Sequence, residues 1–129
     1  MSHPLLDRLV TELGWTAIDD DASFDAFALA PGEHAVLIPG DPAKNLETLD
    51  AAVILPELAQ AFQNRFDMAV TAQAYDRPAR EKVDVWPTPS LIFFRDGAQI
   101  GDIAKIRDWD DYIARTRAIL DAETVTEGA

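Results

Sequence analysis

The chain has 129 residues, a formal net charge of −12 and no cysteine. Its length predicts one domain, over residues 1–122 with an N-terminal helix within residues 1–14, followed by a flexible tail over residues 123–129. The lack of cysteine in this sequence excludes disulfides and cysteine nucleophiles, and the charge argues against nucleic acid and anionic membranes as partners. Because we find no leader pattern and no apolar run of membrane-spanning length, we expect no membrane insertion and a cytoplasmic protein.

The first half of the chain is much more acidic than the second. Residues 1–66 hold 11 acids and 3 Lys or Arg, whereas residues 67–129 hold 12 acids and 8 Lys or Arg. Between Trp15 and Glu57, nine acids stand against a single base, Lys44. Such a charge run is usually a solvated face that keeps a protein soluble. It also suits a surface that attracts a basic partner segment, and the sequence leaves both interpretations open.

Helical periodicity and short apolar strands alternate along the chain. The order α β α β α β α β β α predicts an α/β fold, a three-layer sandwich in which helices flank a central mixed β-sheet. The predicted helices are Pro4–Leu13, Phe24–Leu29, Ala51–Phe66, Arg77–Val83 and a last one that follows Asp108, and the predicted strands are Trp15–Ile18, His34–Pro39, Met68–Tyr75, Ser90–Phe94 and Ala98–Ala104.

Local signals mark the ends of several elements. Ser23 and Asp108 are predicted helix N-caps. Asp96-Gly97 predicts a tight hairpin between the last two strands. Pro56 lies inside the third predicted helix and is expected to kink it.

The most specific local pattern is Thr88-Pro89, followed by an apolar strand and the Asp96-Gly97 turn. This segment and the order of elements over residues 15–122 resemble thioredoxin. The resemblance implies that the Thr88–Pro89 bond is cis and that the Thr88 backbone pairs with an extended peptide. It also equates Pro56 with the proline that kinks the thioredoxin active-site helix, so that Thr48-Leu49-Asp50-Ala51 stands where Cys-X-X-Cys would be. The resemblance therefore implies that the thioredoxin scaffold is kept and that dithiol exchange is lost.

The sequence is similar over nearly its whole length to hydrogenase expression proteins of the HupG/HyaE type, a thioredoxin-like family without Cys-X-X-Cys. The matching features are the N-terminal helix, Asp41-Pro42, Pro56-Glu57-Leu58, the Phe-Arg-Asp-Gly hairpin and Trp109 in the last helix. The resemblance implies a non-enzymatic chaperone in nickel–iron hydrogenase maturation. Its implied partners are the small-subunit precursor, which bears a twin-arginine signal peptide, and other hydrogenase maturation proteins.

We predict that the partner binds in the groove between residues 47–51 and 86–89. An acidic rim there would attract the arginines of a signal peptide, and an apolar groove would hold its apolar stretch. Asp50 is either a helix cap or an arginine acceptor, and Trp86 is either a contact residue or a cover of the core edge. The candidate site residues are Glu47, Thr48, Asp50, Trp86, Thr88 and Pro89.

Two other functions stay open from the residues alone. The first is a redox-inactive thioredoxin-like module for protein binding or homodimer formation. The second is a thioredoxin-like oxidoreductase or peroxidase descendant with a non-cysteine nucleophile, although no histidine lies near Thr48 in sequence to activate its hydroxyl. Since His3 and His34 lack converging partners, we expect no metal, no cofactor and no catalytic residue.

Overall fold

A five-stranded mixed β-sheet forms the middle layer of the protein, and helices cover both of its faces. The computed structural model describes residues 3–122, so the predicted tail over residues 123–129 lies outside the described residues. The elements in chain order are α1 (Pro4–Thr11), β1 (Thr16–Ile18), α2 (Asp21–Ala28), β2 (Glu33–Ile38), α3 (Glu47–Ala61), β3 (Asp67–Thr71), a 3₁₀ turn (Gln73–Tyr75), α4 (Asp76–Val83), β4 (Ser90–Arg95), β5 (Ala98–Ala104) and α5 (Trp109–Asp121). The predicted α/β sandwich is confirmed.

Strand β2 occupies the centre of the sheet, whose strand order is β1-β3-β2-β4-β5. It runs parallel to β3 and antiparallel to β4, while β1 and β5 form the two edges. Every residue of β2 after Glu33 is buried, which explains the apolar run over residues 35–38. Within residues 3–122, no helix is both long enough and apolar enough to cross a membrane.

Alternate side chains of β2 enter two separate hydrophobic clusters. Ala35 and Leu37 belong to the larger cluster, beneath α1, α3 and α5. Val36 and Ile38 belong to the smaller cluster, beneath α2 and α4. Helix α3 packs on the larger cluster, and this packing brings the start of α3 next to the end of β2.

The sequence pattern predicts that helix α3 begins at Ala51, but in the structure it begins at Glu47. The side chain of Asn45 accepts a hydrogen bond from the Glu47 N–H at 2.9 Å, and Leu46 already has helical backbone angles. This side-chain turn starts the helix before the apolar periodicity begins, so the pattern misses its first turn. Asp50 therefore lies within the first turns of the helix, and its interpretation as the N-cap is wrong.

The ends of α3 and β3 also differ from the prediction. Helix α3 stops at Ala61, well before Phe66, because Gln63 and Asn64 adopt positive φ angles. Strand β3 stops at Thr71, and a 3₁₀ turn replaces the predicted end of the strand. Positive φ at polar residues and a tight turn are decided by tertiary contacts that apolar periodicity does not report.

Of the two predicted helix N-caps, Asp108 lies at the predicted position and Ser23 does not. Asp20, not Ser23, is the N-cap of α2, and the two side chains form a reciprocal capping box. Asp108 occupies the N-cap position of α5 with an extended backbone, but its side chain makes no capping hydrogen bond. Helix α1 ends at Thr11, slightly before the predicted Leu13.

A half-buried ion cluster joins the sheet to the end of α5. Glu33 lies 2.8 Å from Arg65 Nε and 2.8 Å from Arg95 Nη2. Both arginines also donate to carbonyls at the end of α5, namely those of Leu120 and Ala122. Burial raises the pKa of Glu33, but the hydrogen bonds and charges of the two arginines outweigh it and hold that pKa below its usual value.

Replacing Glu33 by Gln removes the carboxylate that the two guanidinium groups share. We expect the free energy of unfolding at neutral pH to fall by about 2 kcal/mol. Because the pKa of Glu33 is lower in the folded than in the unfolded state, its contribution is present above pH ~4.3 and is lost as the pH falls through the folded-state value. Urea denaturation at neutral pH and at about pH 3 measures this, and the deficit of Glu33→Gln should shrink in acid.

Glu57→Gln is the matched control, because Glu57 is an exposed acid on α3. Its free energy of unfolding should change by less than about 0.5 kcal/mol. A Glu33→Gln deficit that is equal to the control, or that persists unchanged in acid, would contradict the role of the cluster.

Candidate functional site

The Thr88–Pro89 peptide bond is cis, as the resemblance implies, and it lies beside the backbone of Gly40. Gly40 follows the end of β2 and has a φ of +83°, a conformation that favours glycine. A Cβ atom there would lie 2.5 Å from Thr88 Oγ1 and 3.4 Å from Thr48 Oγ1. The turn after β2 therefore fits between two threonine side chains and brings the start of α3 to the proline loop, residues 84–89.

Two side chains already occupy the carbonyl oxygen of Thr88. Asn45 Nδ2 donates to it at 2.9 Å, and Lys105 Nζ donates to it at 3.2 Å. A carbonyl oxygen has two lone pairs, so these two donors saturate it. Within residues 3–122, the Thr88 N–H has no hydrogen-bond partner. An extended peptide would find the N–H open here and would have to displace a side chain to reach the carbonyl.

Lys105 is held in this position by its own backbone. Its N–H donates to Pro89 O at 2.7 Å, and its carbonyl accepts from the Tyr112 hydroxyl at 3.0 Å. Burial raises the pKa of Tyr112, so this hydroxyl remains a donor at neutral pH. The Lys105 ammonium also lies 3.5 Å from a carboxylate oxygen of Glu47. One group of polar residues, which we call the Thr88 cluster, consists of Asn45, Glu47, Thr88 and Lys105.

Thr48 and Ala51, the two positions that the resemblance equates with the thiols of thioredoxin, hold buried side chains. Thr48 is fully buried, and its hydroxyl donates to Pro39 O at 2.6 Å. Ala51 is 1% exposed and carries no reactive group. A buried hydroxyl that donates to a backbone carbonyl is not presented to a substrate, and it ties α3 to the end of β2. Both positions therefore serve the packing of the loop.

The two predicted acids of the site lie in different environments. Glu47 is half-buried beside Lys105 in the Thr88 cluster. Asp50 lies about one turn further along α3 and is exposed to solvent. Pro89 is buried and contributes backbone shape rather than a contact surface. Of the two acids, Asp50 is the one freely available to a partner.

Trp86 lies on the side of the proline loop that faces α4. The residue is 45% exposed, and the Arg80 guanidinium lies over its ring, 5.5 Å from the ring centroid. Arg80 also donates to the Trp86 carbonyl at 3.2 Å, and the indole N–H donates to Asp84 at 3.3 Å. Trp86 is therefore an exposed aromatic held in place by its neighbours, and it stands apart from the Thr88 cluster.

A cleft of about 410 Å³ opens between the loop of residues 40–45 and residues 73–80 of the 3₁₀ turn and α4, and Thr88 also lines it. Its charged lining residues are Asp41, Lys44, Asp76, Arg77 and Arg80. Arg80 and Asp76 are paired at 2.8 Å, so much of this charge is satisfied internally. The cleft is thus mixed in charge. Unbalanced acid is found instead on α3, which carries three acids and no Lys or Arg.

Three residues that organise the site were missed in the sequence. Asn45 has a recognisable signal, since an asparagine two residues before a helix start favours a side-chain turn. Gly40 precedes Asp41-Pro42, which indicates a turn but not a close contact with Thr88. Lys105 has no local signal, because its partners come from the proline loop, α3 and α5.

We expect Gly40→Ala to lower the free energy of unfolding by about 3 kcal/mol, because the added methyl group would collide with Thr88 at a strained φ. Gly14→Ala is the matched control: φ is +74° there, and nothing lies within 4 Å of an added Cβ. The control should cost about 1 kcal/mol, from backbone strain alone. Urea denaturation measures both variants. Thr88→Gly in the Gly40→Ala background should recover most of the excess loss, and equal losses for the two alanine variants would contradict the close approach.

The fold is similar to that of solved thioredoxins. A mutant thioredoxin from Halobacterium salinarum NRC-1 aligns with a TM-score of 0.66 and 13% identity, over 84% of this chain and 93% of that one. Mitochondrial thioredoxin 3 from Saccharomyces cerevisiae aligns with a TM-score of 0.67 and 14% identity, over 85% of this chain and 97% of that one. At these identities the likeness shows the fold alone, and it confirms the predicted thioredoxin-like sandwich.

The sequence is similar to that of hydrogenase expression/formation proteins. It is 54% identical to HupG from Rhodobacter capsulatus over 122 residues, which cover 95% of this chain and 88% of that one. It is 37% identical to HoxO from Cupriavidus necator over 124 residues, which cover 91% of this chain and 73% of that one. The family model of the hydrogenase-1 expression protein HyaE matches residues 5–112. The chain therefore belongs to the HyaE family of hydrogenase expression proteins.

Proposed function

We propose that the protein is a non-enzymatic, cytoplasmic chaperone that binds the small-subunit precursor of a nickel–iron hydrogenase at its twin-arginine signal peptide, before export. Membership of the HyaE family gives it a role in hydrogenase maturation. The observation that carries the finer proposal is an acidic helix start at the place where thioredoxins keep their thiols. Other maturation proteins are further partners in this proposal.

The chemistry of the site favours holding a segment over reacting with it. This sequence contains no cysteine, and the thiol positions hold buried Thr48 and Ala51. The cis proline loop and the start of α3 are nevertheless kept in the thioredoxin arrangement. A scaffold that retains its peptide-facing geometry without its thiols is suited to reversible binding.

The acids of α3 supply the electrostatic part of the proposal. A guanidinium group binds a carboxylate through two parallel hydrogen bonds, and such charge-assisted bonds are stronger than neutral ones. Asp50 is exposed and, within residues 3–122, takes part in no ion pair, so it can receive an arginine directly. Glu47 is paired with Lys105 and would exchange that partner for an arginine of the precursor. The net charge of −12 also attracts a basic segment over a longer range.

The neutral part of the proposed site is the proline loop. The open N–H of Thr88 offers one backbone hydrogen bond to an extended segment, and Trp86 offers an exposed ring. Because Asn45 and Lys105 occupy the Thr88 carbonyl, backbone pairing alone is a weak source of affinity here. Charge on α3 therefore contributes more of the specificity than strand pairing does.

Capture of the small-subunit precursor by the tagged protein tests the proposal. Asp50→Lys places a like charge before the arginines and should reduce the captured precursor about tenfold. Asp102→Lys is the matched control, because Asp102 is an exposed acid on β5, and it should capture as the wild type does. The precursor without its signal peptide should not be captured.

Two results would go against the proposal. If the wild type fails to capture the complete precursor, the chaperone function is wrong. If the precursor without its signal peptide is captured equally well, the protein binds the mature subunit instead.

A further inference from the structure

Helix α3 turns an uncovered face to solvent, and large apolar side chains lie on it. Leu46, which precedes the helix, is 80% exposed, and Val53 is 52% exposed. A leucine and a valine on a surface are ordinary when they are isolated. These two stand out because acids alternate with them along a single line.

The line follows from helical geometry. Leu46 has helical backbone angles, φ −66° and ψ −25°, so it continues the spiral of α3 by one position. Positions 46, 50, 53 and 57 are separated by four, three and four residues, a spacing that places them on one helix face. Asp50 and Glu57 are both exposed. At 1.5 Å per residue, the row spans about 16 Å. This surface, which we call the α3 row, consists of Leu46, Asp50, Val53 and Glu57.

Among the residues that the structure describes, 3–122, none forms an ion pair with the acids of the α3 row. The opposite face of α3 is buried on the larger hydrophobic cluster, through residues such as Leu55 and Leu58. Helix α3 contains no Lys or Arg that would neutralise its own acids. Within residues 3–122, neither Asp50 nor Glu57 takes part in an ion pair. Two unpaired acids and two exposed apolar side chains therefore alternate on one open face.

We propose that the α3 row is the surface on which an apolar segment carrying basic side chains docks. Its apolar side chains lie on Leu46 and Val53, and its arginines or lysines bind Asp50 and Glu57. The inference rests on the proposed function and deepens it, because it extends the site from the proline loop along α3. Charge complementarity selects this occupant, since the charged groups of the row are both carboxylates.

A second copy of this chain is a poorer occupant of the row. A two-fold contact between two α3 rows would bring carboxylates from both copies together without a compensating base. Each copy also carries a net charge of −12, which opposes self-association at low ionic strength. A basic partner gains from the same charges.

Fluorescence anisotropy with a labelled synthetic twin-arginine signal peptide of the small subunit tests the apolar part. Leu46→Ser combined with Val53→Ser should weaken binding about tenfold, because the apolar stretch loses its contacts. Leu29→Ser is the matched control, because Leu29 is 60% exposed beside Gly97, away from α3. It should bind within about twofold of the wild type. Leu46→Met combined with Val53→Ile keeps the apolar surface and should retain binding.

The salt dependence of the same titration tests the charged part. Asp50→Asn combined with Glu57→Gln should weaken binding about fivefold at low salt and flatten its dependence on ionic strength. Asp102→Asn combined with Asp110→Asn changes the net charge equally at exposed sites outside α3, and it should leave both quantities close to the wild type. Thermal unfolding of every variant verifies that it is folded.

The outcomes separate the two proposals. If the wild type does not bind the peptide or capture the precursor, the proposed function fails and the α3 row fails with it. If the wild type binds and the Leu46/Val53 serine variant binds equally well, only the α3 row is overturned. A change in affinity confined to Lys105→Met would then assign binding to the Thr88 cluster. A wild-type dimer in sedimentation that the serine variant converts to monomer would overturn the proposed occupant in favour of a second copy.

Discussion

The backbone of Gly40 passes so close to Thr88 that a Cβ atom would lie 2.5 Å from the threonine hydroxyl. This contact brings together the end of the central strand, the cis proline loop and the start of α3. Thr48 completes it from the helix side by donating to the carbonyl of Pro39. Because the turn is clamped from both sides, the first turn of α3 has little freedom, and the side chains that it presents to solvent are held in a defined place.

The fold is thioredoxin-like, and the polar groups at the candidate site are largely bonded to one another. At the positions that the resemblance equates with the thiols, the buried hydroxyl of Thr48 bonds to the loop and the methyl group of Ala51 is buried. The carbonyl of Thr88 is saturated by Asn45 and Lys105, and Lys105 is in turn paired with Glu47. What is left open is the N–H of Thr88 and a helix with three acids and no base. In the proposed function, such a surface would distinguish partners by charge, which favours specificity and fast association.

Much of the fold can be predicted from the sequence because strong local patterns agree with the global architecture. Three sequence features predict the sandwich: the apolar run within β2, the hairpin turn at Asp96-Gly97, and the alternation of helices and strands. The start of α3 is predicted four residues late, at Ala51 instead of Glu47, because a side-chain turn by Asn45 begins the helix outside the apolar pattern. The end of β3 is missed because the 3₁₀ turn that follows Thr71, Gln73–Tyr75, contains no glycine or proline to mark it.

The candidate site, like the fold, is only partly predictable from the sequence. From the sequence alone come the missing thiols, the Thr88-Pro89 step, the excess of acid and the family resemblance, all of which are properties of residue type and order. Only the tertiary structure decides that Thr48 is buried, that Lys105 reaches the carbonyl of Thr88, and that Trp86 stays with Arg80. It also decides that, among residues 3–122, none covers the face of α3 with Leu46 and Val53. The reason is physical. Burial and hydrogen-bond partners depend on which segments, distant in sequence, come into contact, and a local sequence pattern does not specify those contacts.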